Sequence, residues 1–235
     1  MRLPCALSLL VLVATPARAG AAYPAIPEPM IFDMMRPLCA AKGELEINAL
    51  AQTVSPFRPR SAEWAPELEY AYADGHAIEF ELPFDGARLA ALKIGLQSSL
   101  GVSGDGRTAH GIQYLGIHDR DARHYSSSLL YLLGHRYSSR WSSMTMLGVD
   151  RISLDGGSGR NALLFNHAAF YDANADTVLG AELNMAGGAD RSLKVSPQIH
   201  RRLSAAINVQ IAAGFEKQRH EALRPTAGLR LVRQF

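Results

Sequence analysis

The stretch PELEYAYADGHAIEFELPF, residues 66–84, decides how the chain folds. Glu67 and Glu69 alternate with Leu68, Tyr70 and Tyr72, and beyond Asp74-Gly75 the carboxylates Glu79 and Glu81 alternate with Ile78, Phe80, Leu82 and Phe84. A period of two places successive side chains on opposite faces, which is the signature of a strand. Asp-Gly between two such runs favours the positive backbone angles of a tight hairpin turn. The stretch is therefore a β-hairpin with one apolar face and one face carrying four carboxylates. Two architectures use such a hairpin. In a soluble sandwich the apolar face packs on a core, whereas in a transmembrane barrel it meets lipid and the polar face lines a lumen.

The same alternation runs outward in both directions. Residues 43–52 (GELEINALAQ) set Leu45, Ile47 and Ala49 against Glu44, Glu46 and Asn48. Residues 91–97 (ALKIGLQ) set Leu92, Ile94 and Leu96 against Lys93, Gly95 and Gln97. Residues 177–185 and 206–217 repeat it, with Gly180, Glu182 and Asn184 and then Asn208, Gln210, Gly214 and Glu216 on the polar side. Between 110 and 172 the segments are apolar enough for strands but alternate less cleanly, so in a barrel their lumen side carries Leu or Phe. Gly-, Asp- and Ser-rich turns divide the chain into about twelve strands, or ten if 84–112 is cut differently. With both termini on one side, the turns YADGH, YSSRW, DANAD and HRRLSA are tight, and those on the other side are mostly longer and richer in Gly and charge. The turn before His110 is long on the short-turn side and breaks this rhythm.

The amino-terminal residues have a positive start at Arg2, an apolar run from Cys5 to Ala14, and the A-x-A site Ala17-Arg18-Ala19. This pattern predicts a secretory signal peptide over 1–19, since the apolar run is too short for a spanning helix. Losing Arg2 and Arg18 reduces Lys+Arg from 24 to 22, equal to the 22 Asp+Glu, so the mature chain has no net formal charge and no basic footprint for nucleic acid. Cys5 leaves with the signal and Cys39 stands alone, which excludes an intramolecular disulfide and predicts a small apolar packer rather than a nucleophile. Beyond the signal no run of ~18 apolar residues offers a membrane helix. Residues 20–42, with three early prolines, predict an extended periplasmic leader or short plug that lies in the periplasm or tucks into the barrel mouth, followed by a helical turn or half-strand. The barrel itself is expected over 43–235.

Three features place the apolar faces against lipid. The polar faces carry small residues, Gly95, Gly180 and Gly214, as a crowded lumen does. Aromatics such as Trp64, Phe84, Trp141 and Tyr171 gather near segment ends, as in an interfacial girdle. The carboxy-terminal GLRLVRQF, with Leu229, Leu231 and Phe235 on one face, resembles the assembly signal that Gram-negative outer-membrane proteins present to their insertion machinery, although Arg233 occupies a position that is usually aromatic or apolar. Residues 43–100 further resemble the barrel family found in phenol meta-pathway degradation clusters. That resemblance implies a barrel and an uptake role, and brings no catalytic motif.

The expected fold is an all-β, transmembrane, antiparallel up-and-down barrel whose surroundings are outer-membrane lipids. Its lumen charge cluster comprises Glu44, Glu46, Glu67, Glu69, Glu79 and Glu81 with the cations Lys93, Lys194 and Arg230. Such a wall either attracts cations or forms a paired structural network, and buried charge must be paired or solvated. The expected function is a narrow channel or uptake protein for small solutes, including hydrophobic ones, with a plugged structural or surface-interaction barrel as the alternative. The eight histidines are scattered without an H-x-x-x-H helix motif, so neither a metal site nor a cofactor is expected. A Ser–His lipid hydrolase built on His135 and Ser139 is a weaker third reading, because both lie at a hairpin turn with no oxyanion donor in view. Deleting Phe235 is expected to reduce assembly into the outer membrane. Membrane fractionation checks this, and unchanged assembly would contradict the resemblance.

Overall fold

A computed structural model describes residues 23–31, 37–38, 40–54, 62–154 and 161–235. The expected signal peptide over 1–19, Cys39 and residues 55–61 lie outside these residues. The strands are β1 (Leu45–Val54), β2 (Glu63–Ala73), β3 (His76–Glu81), β4 (Phe84–Asp85), β5 (Arg88–Leu89), β6 (Ala91–Val102), β7 (Thr108–Asp119), β8 (His124–Arg136), β9 (Trp141–Ser153), β10 (Ala162–Asn174), β11 (Thr177–Ala186), β12 (Ser192–Arg202), β13 (Ile207–Gln218) and β14 (Arg224–Gln234). Each long strand pairs antiparallel with its sequence neighbours, and β1 pairs with both β2 and β14, so the sheet closes on itself. The Phe235 N–H donates to the Leu45 carbonyl at 2.9 Å and completes the seam.

The fourteen segments make a twelve-strand barrel because two strands are interrupted. β3 and β4 pair with β2 in one continuous register, Glu67 opposite Glu81 and Trp64 opposite Phe84, and Pro83 between them has no N–H to give the ladder. Across the hairpin the Pro83 carbonyl accepts from both Ala90 and Ala91, at 2.8 and 3.3 Å. Two residues opposite one is a β-bulge, and it separates β5 from β6. The difficult 84–112 stretch thus resolves into a hairpin turning at Gly86-Ala87 and a second turn over 103–107. The first of these is a two-residue turn on the side where longer loops were expected, a correction to the turn rhythm. Among the described residues of the leader, 23–31 have no helix or strand, and the stretch around Asp33 and Arg36, where a helical turn or half-strand is expected, lies outside the described residues.

Burial is inverted relative to a soluble protein. Glu46 and Glu69 are 0% exposed, and Glu79, Gln97 and Gln113 are at most 2% exposed, while Phe80, Leu129, Leu147 and Ile211 are all more than 50% exposed. A water-soluble domain would not display so continuous an apolar belt. This belt is the lipid face of a transmembrane barrel, and the long strands of 10–13 residues match the ~9–11 that a tilted strand needs to cross. Aromatic pairs mark the ends. Trp64 stacks on Phe84 at 4.4 Å at the loop end, and Trp141 meets Tyr171 at 4.9 Å at the end where the termini lie. Leu229, Leu231 and Phe235 all face outward, and the Arg233 guanidinium lies 4.6 Å over the Phe235 ring.

Ile211, between Ile199 and Leu229 on the belt, tests the lipid face. Ile211→Arg is expected to cost about 2–4 kcal/mol, as for a cation at mid-membrane, measured by urea titration in bilayers. An unchanged midpoint would mean that this face is not in lipid.

Candidate functional site

The lumen has three chemically distinct arcs. The first spans β14, β1, β2, β3 and β6. Register aligns Glu46, Glu69 and Glu79 in one cross-strand row, and Asn48, Glu67, Glu81 and Lys93 in the next. Like charges directly opposite one another repel, so the arc needs internal cations. Arg230 supplies the main one. Its guanidinium lies 3.3 Å from Glu69, 3.5 Å from Glu67 and 4.0 Å from Glu46, and its Nε donates to Asn48 Oδ1 at 3.2 Å. Asn48 Nδ2 in turn donates to Glu69 at 2.7 Å. Lys93 bonds Glu81 and lies 3.6 Å from Glu79.

The second arc, β7 to β10, is the most apolar of the three, with Gln113 and Asn166 as buried polar exceptions. Leu115, Leu130, Leu132, Met144, Met146 and Phe170 are buried on the lumen side. These are the strands whose alternation is indistinct in the sequence, because both of their faces are apolar. The third arc, β11 to β13, carries amides, hydroxyls and single charges, among them Glu182, Ser196, Gln198, His200 and Gln210.

The amino-terminal segment runs between these arcs, with each side matched to the wall it meets. Ile26 and Leu38 join the apolar cluster. A Cβ at Gly134 would stand 2.6 Å from Ile26 Cδ1, and one at Gly111 would stand 2.6 Å from Leu38 Cδ2, so these inward glycines give the segment its room. On the polar side the Met30 and Ile31 N–H groups both donate to the Glu182 carboxylate, the latter at 3.0 Å to Oε2. The Pro29 carbonyl accepts from Arg230 at 3.3 Å, and Glu28 lies 3.9 Å from the same guanidinium. Arg136 anchors the segment's start by donating to the Ala25 carbonyl at 2.5 Å. The segment separates two cavities. One of about 320 Å³ toward the loop end is lined by Ile31, Leu130, Met146, Asn184, Lys194 and Glu216. The other, of about 330 Å³ toward the terminus end, includes Ile26, Glu28, His200, Asn208 and Gln210.

The structure thus gathers Glu46, Glu67, Glu69, Glu79, Glu81, Lys93 and Arg230 into one network. Two residues of the expected cluster stand apart from it. Lys194 is across the lumen and donates to Gln52 Oε1 at 2.6 Å, and Glu44 is half-buried just before β1. Glu28 and Glu182 belong to the site without having been foreseen. Glu182 was legible as inward, but nothing in the sequence said what it would bind. His135 faces outward and pairs with Thr108 at 2.8 Å, and the Ser138 hydroxyl accepts from the Arg140 and Trp141 amides. Among the described residues His135 makes no hydrogen bond to a serine.

No protein-family model matches this chain and no curated protein matches it in sequence. Solved structures do match in fold. The KdgM porin aligns with a TM-score of 0.63 at 7% identity, covering 81% of this chain and 99% of that one. The NanC porin aligns at 0.64 and 9% identity, covering 80% and 98%. The COG4313 outer membrane channel from Pseudomonas putida F1 aligns at 0.59 and 12% identity, covering 89% and 100%.

Arg230→Met is expected to destabilise the barrel by about 3–5 kcal/mol by leaving buried carboxylates uncompensated. Adding Glu69→Gln should recover part of that loss, and urea unfolding of the two variants checks both. The chain has the closed twelve-strand fold of outer-membrane channels.

Proposed function

We propose that the chain is an outer-membrane channel that admits small neutral or cationic solutes, partly hydrophobic ones included, through a lumen narrowed by its own residues 23–31, 37 and 38. The carrying observation is the wall where the carboxyl groups of Glu46, Glu67, Glu69, Glu79 and Glu81 meet Arg230 and Lys93, so that both cations are already engaged and the wall offers an anion no favourable partner. One of the matched structures is a KdgM porin in complex with disordered oligogalacturonate, a polyanion. A carboxylate-rich wall disfavours that class of solute here. The apolar arc of β7 to β10 supports passage of molecules with a hydrocarbon part, in keeping with the resemblance of residues 43–100 to the phenol meta-pathway barrel family.

The segment between the walls supports a second reading, a plugged barrel that acts through its outer loops. Planar-bilayer recording separates the two. The channel reading expects small conductance with reversal potentials favouring cations in a KCl gradient, and larger conductance when Glu182→Ala frees the Met30 and Ile31 amides. Anion preference would overturn the solute class. Silence in both proteins would favour the plugged barrel.

A further inference from the structure

The cavity at the terminus end contains three polar groups whose hydrogen-bonding capacity is unused. His200 is 4% exposed and Gln210 is 3% exposed, and they lie directly opposite each other on β12 and β13. His200 Nε2, Gln210 Oε1 and Asn208 Oδ1 are buried atoms without a hydrogen-bond partner, and all three residues line this cavity. The edge of Phe170, 5.8 Å from the His200 ring, constrains how that ring lies. Leaving a buried acceptor unpaired forfeits the hydrogen bond it made to water in the unfolded chain, and native proteins satisfy such groups with water or a ligand. Three of them converging on about 330 Å³ form a prepared set of contacts.

We propose that this cavity binds an uncharged polyhydroxylated solute of about monosaccharide size. The two amide oxygens accept hydroxyl donors, and a hydroxyl satisfies the imidazole nitrogen in either tautomer, since it both donates and accepts. Ile26, Val178 and Val232 supply apolar surface for the C–H face of a sugar ring. The charged neighbours are already paired, Asp176 with Arg202 at 3.1 Å and Glu28 with Arg230 at 3.9 Å. No uncommitted cation among the described lining residues is therefore in place to hold an anion. The inference deepens the channel reading and rests on it for the direction of traffic, but the binding itself is measured independently.

The test uses the full mature chain in detergent micelles, with D-glucose and D-glucuronate as probes followed by saturation-transfer NMR and calorimetry. Saturable glucose binding is expected, with glucuronate at least tenfold weaker. Asn208→Ala and Gln210→Leu should each weaken glucose about fivefold, the loss of one hydrogen bond, while leaving the cation preference in bilayers unchanged. Heat-modifiable gel mobility shows that each variant is folded, and Asn208→Ala alone suffices if Gln210→Leu does not assemble. Absence of saturable glucose binding, equal binding of glucuronate, or unchanged affinity in a folded variant would overturn the proposal. A protein that conducts without binding glucose refutes this site and leaves the channel intact. One that binds glucose without conducting does the reverse.

Discussion

The structure depends on closure. In hydrocarbon there is no water to satisfy a free strand edge, and each unpaired backbone group would cost several kcal/mol. The pairing of β1 with β14 removes the last edge, over a register running from Glu46 opposite Gln234 to Val54 opposite Thr226. Once the seam is made, the alternation along every strand becomes a division between lipid and lumen, and the interior is as wide as twelve strands allow. The interruptions at Pro83 and at the Ala90 bulge are tolerated because they lie at the rim of the barrel, next to the Gly86-Ala87 turn.

Closure also creates the electrostatic problem at the centre of the molecule. Carboxylates that would be harmless on an open, solvated sheet are brought into rows on an enclosed wall. Arg230 reaches that wall because β14 is the neighbour of β1, so the seam delivers the main cation to the first strands' carboxylates. The guanidinium suits this task, since its several donors reach different acceptors at once. It serves Glu67, Glu69 and Asn48 on the wall and the Pro29 carbonyl on the segment. Wall and segment are therefore held by one side chain.

The amino-terminal segment is an extended chain inside a barrel, and its backbone groups need partners that no ladder provides. Glu182, Arg230 and Arg136 answer that need from three different strands. Its apolar side chains take the opposite wall, where close packing is possible beside Gly111 and Gly134. The lumen is amphipathic as a result, and the segment divides it into two cavities of similar volume with different linings.

Much of this was legible beforehand. Period-two alternation identified which residues of β1, β2, β3, β6 and β14 face inward, and parity alone placed Arg230 on the same side as the glutamates. Alternation works there because the two faces differ in polarity. It fails over β7 to β10, where Leu and Met inside and Leu and Tyr outside look alike. The interruption of β3 was equally hidden, since Pro83 is compatible with a turn, an edge or a break. Lys194 is inward by parity, but its bond to Gln52 had no signal, because parity says which face a side chain takes and not which arc of the barrel it joins. The docking of Glu28 and Pro29 against Arg230, and the convergence of His200, Asn208 and Gln210, join residues far apart in sequence or on different strands and have no periodic signal. The sequence by itself determined the strands, their two faces and the chemistry of each. The tertiary structure alone decided which wall faces which, because that follows from register and closure, and these are properties of strand pairing rather than of any strand.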